Sequence, residues 1–127
     1  MSGFLCDTQV VIWAAATPKR LRANVRSVLA DPSQRVLVSS VSIAEMVIQQ
    51  QLGKLVLPLR PQDLCAELGF AELALSWNHS TQLAQLPTIH RDPFDRLLIS
   101  QALVEDLTFI TADDIVASYP DVRIERA

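Results

Sequence analysis

Short apolar runs that alternate with helical stretches restrict the fold of this chain more than any other feature. Gly3-Phe4-Leu5-Cys6 ends at Asp7-Thr8, and the β-branched run Arg35-Val36-Leu37-Val38-Ser39 closes at Ser40. Runs of this length bounded by polar residues read as buried strands. Residues 71–75 and 107–110 supply two more candidates. Between them, residues 8–16, 20–30, 42–52, 61–68, 79–86 and 93–105 read as helices, several with Leu, Val or Ala at three- and four-residue spacing. Such alternation favours right-handed βαβ crossovers. The expected fold is α/β, a three-layer α/β/α arrangement with a central, mostly parallel sheet. Chemistry in that architecture collects at the carboxyl ends of the strands. Asp7 ends the first run and Asp113 follows Ile110 by three residues, so two distant acids fall on one sheet edge.

At 127 residues and 50% hydrophobic composition, the chain reads as one domain over residues 1–127, with a core that needs no covalent staple. Cys6 and Cys65 stand in apolar surroundings without metal-ligand spacing and read as two buried thiols. No basic stretch precedes Asp7, and no apolar run approaches the ~18 residues of a membrane span, so a cytoplasmic protein without a membrane segment is expected. A net charge of −3 excludes binding of nucleic acid through a broad basic face. Any such role must be local. Lys19, Arg20, Arg22 and Arg26, and separately Arg91 and Arg96, form either small basic patches or solvated helix faces.

Two further acids join the edge. Ser42-Ile43-Ala44-Glu45 reads as a helix start with Glu45 in the first turn, where Ser-x-x-Glu makes a capping box. Capping does not prevent the carboxylate from facing a cation. In Asp92-Pro93-Phe94-Asp95, Asp92 reads as the N-cap and Pro93 as the first helical residue, with Phe94, Leu97, Leu98 and Ala102 as the apolar stripe. Asp95 then stands in the first turn, where the helix dipole favours a negative charge. Each acid has a structural use taken singly; four of them meeting on one edge is the informative pattern. Carboxylates about 4 Å apart repel by about 4 kcal/mol at an effective dielectric near 20, so a cluster requires raised pKa values or a cation. Hard oxygen ligands without His or Cys favour Mg2+ or Mn2+ over zinc.

The ordered set Leu5-Cys6-Asp7-Thr8, Val38-Ser39 to Met46, Leu52-Gly53-Lys54-Leu55-Val56-Leu57-Pro58, His90 to Ala102 and Ile110-Thr111-Ala112-Asp113 resembles PIN-domain ribonucleases of the VapC toxin type, over nearly the whole chain. The resemblance implies catalytic acids at Asp7, Glu45, Asp95 and Asp113, with Thr111 as the accompanying hydroxyl. It implies a Mg2+- or Mn2+-dependent endoribonuclease acting on tRNA or another structured RNA, a cognate antitoxin and a homodimer. Asp7 and Asp95 are the expected metal ligands. Arg91 and Arg96 either meet RNA phosphates or pair with Asp92 or another neighbour; Thr111 either orients a water or caps the next turn. Three positions depart from the pattern: Gln9 in place of histidine, Ala44 in place of tryptophan and Gln49 in place of lysine. Asp114 beside Asp113 leaves the fourth acid resting on the Thr-x-Asp spacing.

Other enzyme classes fit poorly. A phosphatase with an aspartate nucleophile needs a second aspartate where Gln9 stands, and a response-regulator receiver needs an acidic pair where Cys6-Asp7 stands and a late lysine, absent after Lys54. The alternative from another class is a catalytically inactive PIN-like module that binds RNA or protein. His79 and His90 read as structural or rim residues, and Trp13 and Trp77 as core or partner-facing side chains.

Overall fold

In the computed structural model, which describes residues 3–89 and 92–127, each of the four apolar runs forms a strand. In chain order the elements are β1 (Phe4–Cys6), α1 (Thr8–Ala16), a 3-10 turn (Pro18–Arg20), α2 (Ala23–Ala30), β2 (Val36–Ser39) and α3 (Ser40–Gln51). There follow α4 (Pro61–Glu67), β3 (Ala71–Leu73), α5 (Trp77–Thr81), a second 3-10 turn (Gln82–Gln85), α6 (Pro93–Val104), β4 (Thr108–Thr111), α7 (Asp114–Ala117) and β5 (Ile124–Arg126). The strands pair in the order β3-β2-β1-β4-β5, all parallel. The expectation of a mostly parallel α/β/α fold is met.

Side-chain alternation along the strands divides the core into two. Leu5, Leu37 and Phe109 meet Leu98, Ile99 and Ala102 of α6 and Val116 of α7 on one face. Cys6, Val36, Val38 and Ile110 meet Val10 and Val11 of α1, Val25 of α2, Met46 of α3 and Cys65 of α4 on the other. A period of two along a strand gives this partition. Each large side chain buried in this way contributes about 1.5–3 kcal/mol. Both cysteines are buried and free, as their surroundings imply.

Several elements differ from the sequence expectation. Residues 20–30 are not one helix: Leu21 is extended and α2 begins at Ala23. The 79–86 segment is α5 followed by a 3-10 turn. Neither β5 nor α7 was expected. β5, Ile-Glu-Arg, has no apolar alternation, and its pairing with β4 comes from the ladder alone. His79 is buried and structural. Its Nδ1 accepts from the Ser76 amide at 2.9 Å, which leaves Nε2 protonated to donate to Glu105 at 2.8 Å and join α5 to the end of α6. Trp13 is half-buried under the Arg20 guanidinium, 4.8 Å from its ring centre. Trp77 is 90% exposed and takes no part in the core. His90 lies outside the described residues.

Strand β1 starts where the backbone is tightest. A Cβ on Gly3 would sit 2.5 Å from the Arg35 carbonyl oxygen, the acceptor of the Phe4 amide at 2.8 Å. Gly3 also supplies the carbonyl for the Thr108 amide at 3.0 Å, so neither neighbour can withdraw without loss of a ladder bond. Gly3→Ala is expected to lower stability by about 1–3 kcal/mol in urea denaturation. A variant as stable as the parent would show that the β1–β2 start relaxes freely.

Candidate active site

The chain runs outward from β1 through β2 to β3, then crosses back to lay β4 on the other side of β1. Loops that leave β1 and β4 therefore diverge, and a crevice opens at their carboxyl ends. This crevice has a volume of about 330 Å3 and is lined by Asp7, Thr8, Gln9, Glu45, Gln49, Asp92, Asp95, Ala112 and Asp113. A larger groove of about 520 Å3 lies between α3, α4 and β3, with Glu72 as the one charged residue of its lining. Its lining does not concentrate titratable groups, so chemistry and not size identifies the site.

Asp7 is the most enclosed acid, at 7% exposure. Its amide continues the sheet by donating to Ile110 O at 2.9 Å, and its side chain caps α1 by accepting from Thr8 N at 2.7 Å through Oδ1. Oδ2 accepts from the Thr111 hydroxyl at 2.7 Å. That same hydroxyl oxygen accepts from Asp113 N at 3.0 Å, so Thr111 joins the first acid to the fourth acid's backbone. Of the two options for Thr111, the bond from Asp113 N is the cap on the next turn. Burial pushes the Asp7 carboxyl above its usual range; the Thr111 and Thr8 hydrogen bonds oppose the shift, and the charges of Asp113 and Asp92 add to it.

Glu45 is brought in differently from the sequence expectation. Helix α3 begins at Ser40 with Ser39 as N-cap, its side chain accepting from Val41 N at 3.0 Å, so Ser42 is not a cap and Glu45 is not in the first turn. The capping box is absent because Ser40, Val41 and Ser42 are already helical, which moves the N-cap three residues upstream to Ser39. Glu45 Oε1 instead lies 2.7 Å from Thr8 Oγ1, which is also 2.9 Å from Ser42 Oγ. With one proton, the Thr8 hydroxyl donates to the carboxylate and leaves Ser42 to donate to it. Partial burial raises the Glu45 carboxyl, the Thr8 bond lowers it, and the charges of Asp92 and Asp7 raise it further.

Helix α6 contributes two acids from one end. Asp92 is its N-cap, accepting from Phe94 N at 2.9 Å and from Asp95 N at 3.5 Å through Oδ1, as the Asp-Pro signal implied. It also lines the crevice and acts on both Asp7 and Glu45, a role that the sequence reading missed. The available signal was a capping Asp followed three residues later by another, which places two carboxylates at one helix start. Asp113 caps α7 by accepting from Ile115 N at 2.8 Å and Val116 N at 3.2 Å. Asp114 does not line the crevice; its 87%-exposed side chain pairs with Arg126. Arg96 is half-buried, is not among the described residues that line the crevice, and its Nε has no hydrogen-bond partner among the described residues. Arg91 lies outside the described residues.

The donor set is entirely hard oxygen, which fits Mg2+ or Mn2+. No group of three or more His, Cys, Asp or Glu among the described residues is closed into a ready-made cage. Mg2+ tolerates this because it retains waters and takes one or two carboxylates, and a cation would offset the burial and the neighbouring acidic charges that raise the Asp7 and Glu45 carboxyls. A carboxyl raised in the folded state makes that state bind more protons, so stability falls as pH rises from the unfolded value through the folded one. Glu45→Gln keeps the acceptor for Thr8 and removes the charge. We expect it to raise the melting temperature of metal-free protein at pH 7 and to lose that advantage near pH 4. A lower melting temperature at pH 7 would contradict repulsion within the crevice.

The family profile of the PIN domain matches residues 4–122. A search of curated proteins found no match. Among solved structures, this chain resembles one in VapBC2 from Rickettsia felis bound to promoter DNA (TM-score 0.74, 18% identity, 97% of each chain covered). It also resembles one in DNA-bound VapBC from Salmonella typhimurium (TM-score 0.71, 18% identity, covering 99% of this chain and 98% of that one). A third likeness is to FitAcB from Neisseria gonorrhoeae (TM-score 0.64, 22% identity, 95% of each chain). With the all-parallel fold, the acidic crevice at the strand-order switch and a profile match over most of its length, the chain belongs to the PIN-domain family of nucleases.

Proposed function

We propose that this protein is a divalent-metal-dependent endoribonuclease, the toxin of a toxin–antitoxin pair, which hydrolyses phosphodiester bonds in tRNA or another structured RNA. The observation that carries this reading is the convergence of Asp7, Glu45, Asp92, Asp95 and Asp113 in one crevice. Asp7 and Asp95 would hold Mg2+ or Mn2+, with Glu45 and Asp113 completing the acidic wall. A bound divalent ion supplies Lewis acidity and a water of lowered pKa. Thr111 fixes the orientation of Asp7, and Thr8 fixes Glu45. Glu45, which lines the crevice, is held by Thr8 and is not assigned to the metal, is the member placed to accept a proton from an attacking water.

The antitoxin partner is supported by likeness to chains of VapBC and FitAB assemblies and by apolar surface on the outer side of α3, where Val47, Ile48 and Leu52 are exposed, with Val56 beyond them. A homodimer belongs to the same reading. No described helix is long and apolar enough to cross a membrane.

Cleavage of total tRNA with Mg2+ or Mn2+ tests the activity. Asp7→Asn and Asp95→Asn are each expected to reduce the rate at least ~10²-fold, the scale for loss of a group that stabilises transition-state charge. Metal-independent cleavage, or equal cleavage by the variants, would sink the mechanism, and absence of any cleavage would favour an inactive binding module. Separately, titration with Mn2+ is expected to raise the melting temperature, with a gain of about 2.7 kcal/mol at 100 times the Kd. No shift at millimolar metal would count against a site of these acids.

A further inference from the structure

We propose that Gln9 and Gln49 form a neutral hydrogen-bonding pair that orients the nucleotides beside the scissile phosphate and sets which RNA position is cut. The inference rests on the ribonuclease reading of the same crevice. A carboxylate is an acceptor only and repels phosphate. The Thr8 hydroxyl is committed to Glu45 and Ser42. Among the described residues that line the crevice, the two carboxamides are therefore the side chains left to donate N–H bonds to an arriving nucleotide.

Their placement suits that task. Gln49 follows Glu45 by four residues on α3, so the two side chains share one helix face and Gln49 extends the crevice by one turn. Gln9 follows Thr8 at the start of α1 and is exposed. The Thr8–Glu45 bond joins α1 to α3, which sets the two helix positions that carry the amides relative to each other and to the acids. Neither amide makes a hydrogen bond with another described residue, although each carries two donors and an acceptor. A cation at either position would attract every phosphate alike. An amide gains only from a correctly placed ribose, base or phosphate group, so it selects position and adds no salt-dependent attraction.

The test uses Gln9→Met, Gln49→Met and the double variant, which keep side-chain length and helix propensity and remove the amide. Cleavage of total tRNA is followed with Mn2+ present, and the cut ends are sequenced. Each single variant is expected to raise KM roughly three- to tenfold, the range of one neutral hydrogen bond, with the loss on KM rather than kcat. The double variant is expected to broaden the distribution of cut positions, while the Mn2+-induced melting shift stays that of the parent. A purely structural role would lower the melting temperature and leave the cut positions unchanged. A double variant with the parent's KM and cut positions overturns this inference alone; a parent that shows no metal-dependent cleavage overturns the ribonuclease reading and this inference with it.

Discussion

The arrangement of the crevice depends on one hydroxyl, Thr111 Oγ1, at the end of β4. It donates to Asp7 Oδ2 and accepts from Asp113 N, so it ties together the starts of the two loops that diverge from the adjacent ends of β1 and β4. Asp7 is almost fully enclosed and its charge is disfavoured by burial and by neighbouring acids. A hydrogen bond to a carboxylate is about twice as strong as a neutral one, and without it the buried acid would take up a proton more readily. The cost of gathering like charges in low dielectric is thus partly offset by hydroxyls and amides from the same strand ends.

A second hydroxyl repeats the device. Thr8 joins α1 to α3 through Glu45 and Ser42, as Thr111 joins β1 to α7. Each threonine stands at a strand's carboxyl end: Thr8 is two residues beyond Cys6, and Thr111 is the last residue of β4. The sheet therefore sets the spacing of both hydroxyls, and the hydroxyls set the acids. Helix starts do the remaining work. Asp7, Asp92 and Asp113 are each N-caps, bonded to the first amides of α1, α6 and α7. Capping holds each carboxylate at the positive end of a helix, and the same three side chains line the crevice.

What fell outside the local signals shows where sequence reading loses information. Glu45 fits a capping box by spacing, yet α3 starts three residues earlier because Ser39 already ends β2 with the correct extended geometry. The choice between two serines as N-cap depends on where the strand stops, which the ladder with β1 and β3 decides. β5 carries little hydrophobic pattern of its own and gains its conformation from an edge already formed by β4. Asp92 looked fully occupied as a cap, and only the fold reveals that its charge reaches Asp7 and Glu45.

The sequence by itself determined the alternation of strands and helices, the parallel sheet, the placement of Asp7 and Asp113 after strands and of Asp95 in a helix's first turn, because these follow from period, length and capping chemistry within a few residues. Only the tertiary structure decided the strand order that brings β4 beside β1, and so opened the crevice there. It also decided that Asp113 and not Asp114 faces the acids, that Glu45 answers to Thr8 and not to a cap, and that Gln9 and Gln49 share the crevice wall. The hydroxyl bonds of Thr8 and Thr111 that hold these acids join groups 34 to 104 residues apart in the chain, and contacts at that separation depend on how the helices pack against the sheet, which no local pattern contains.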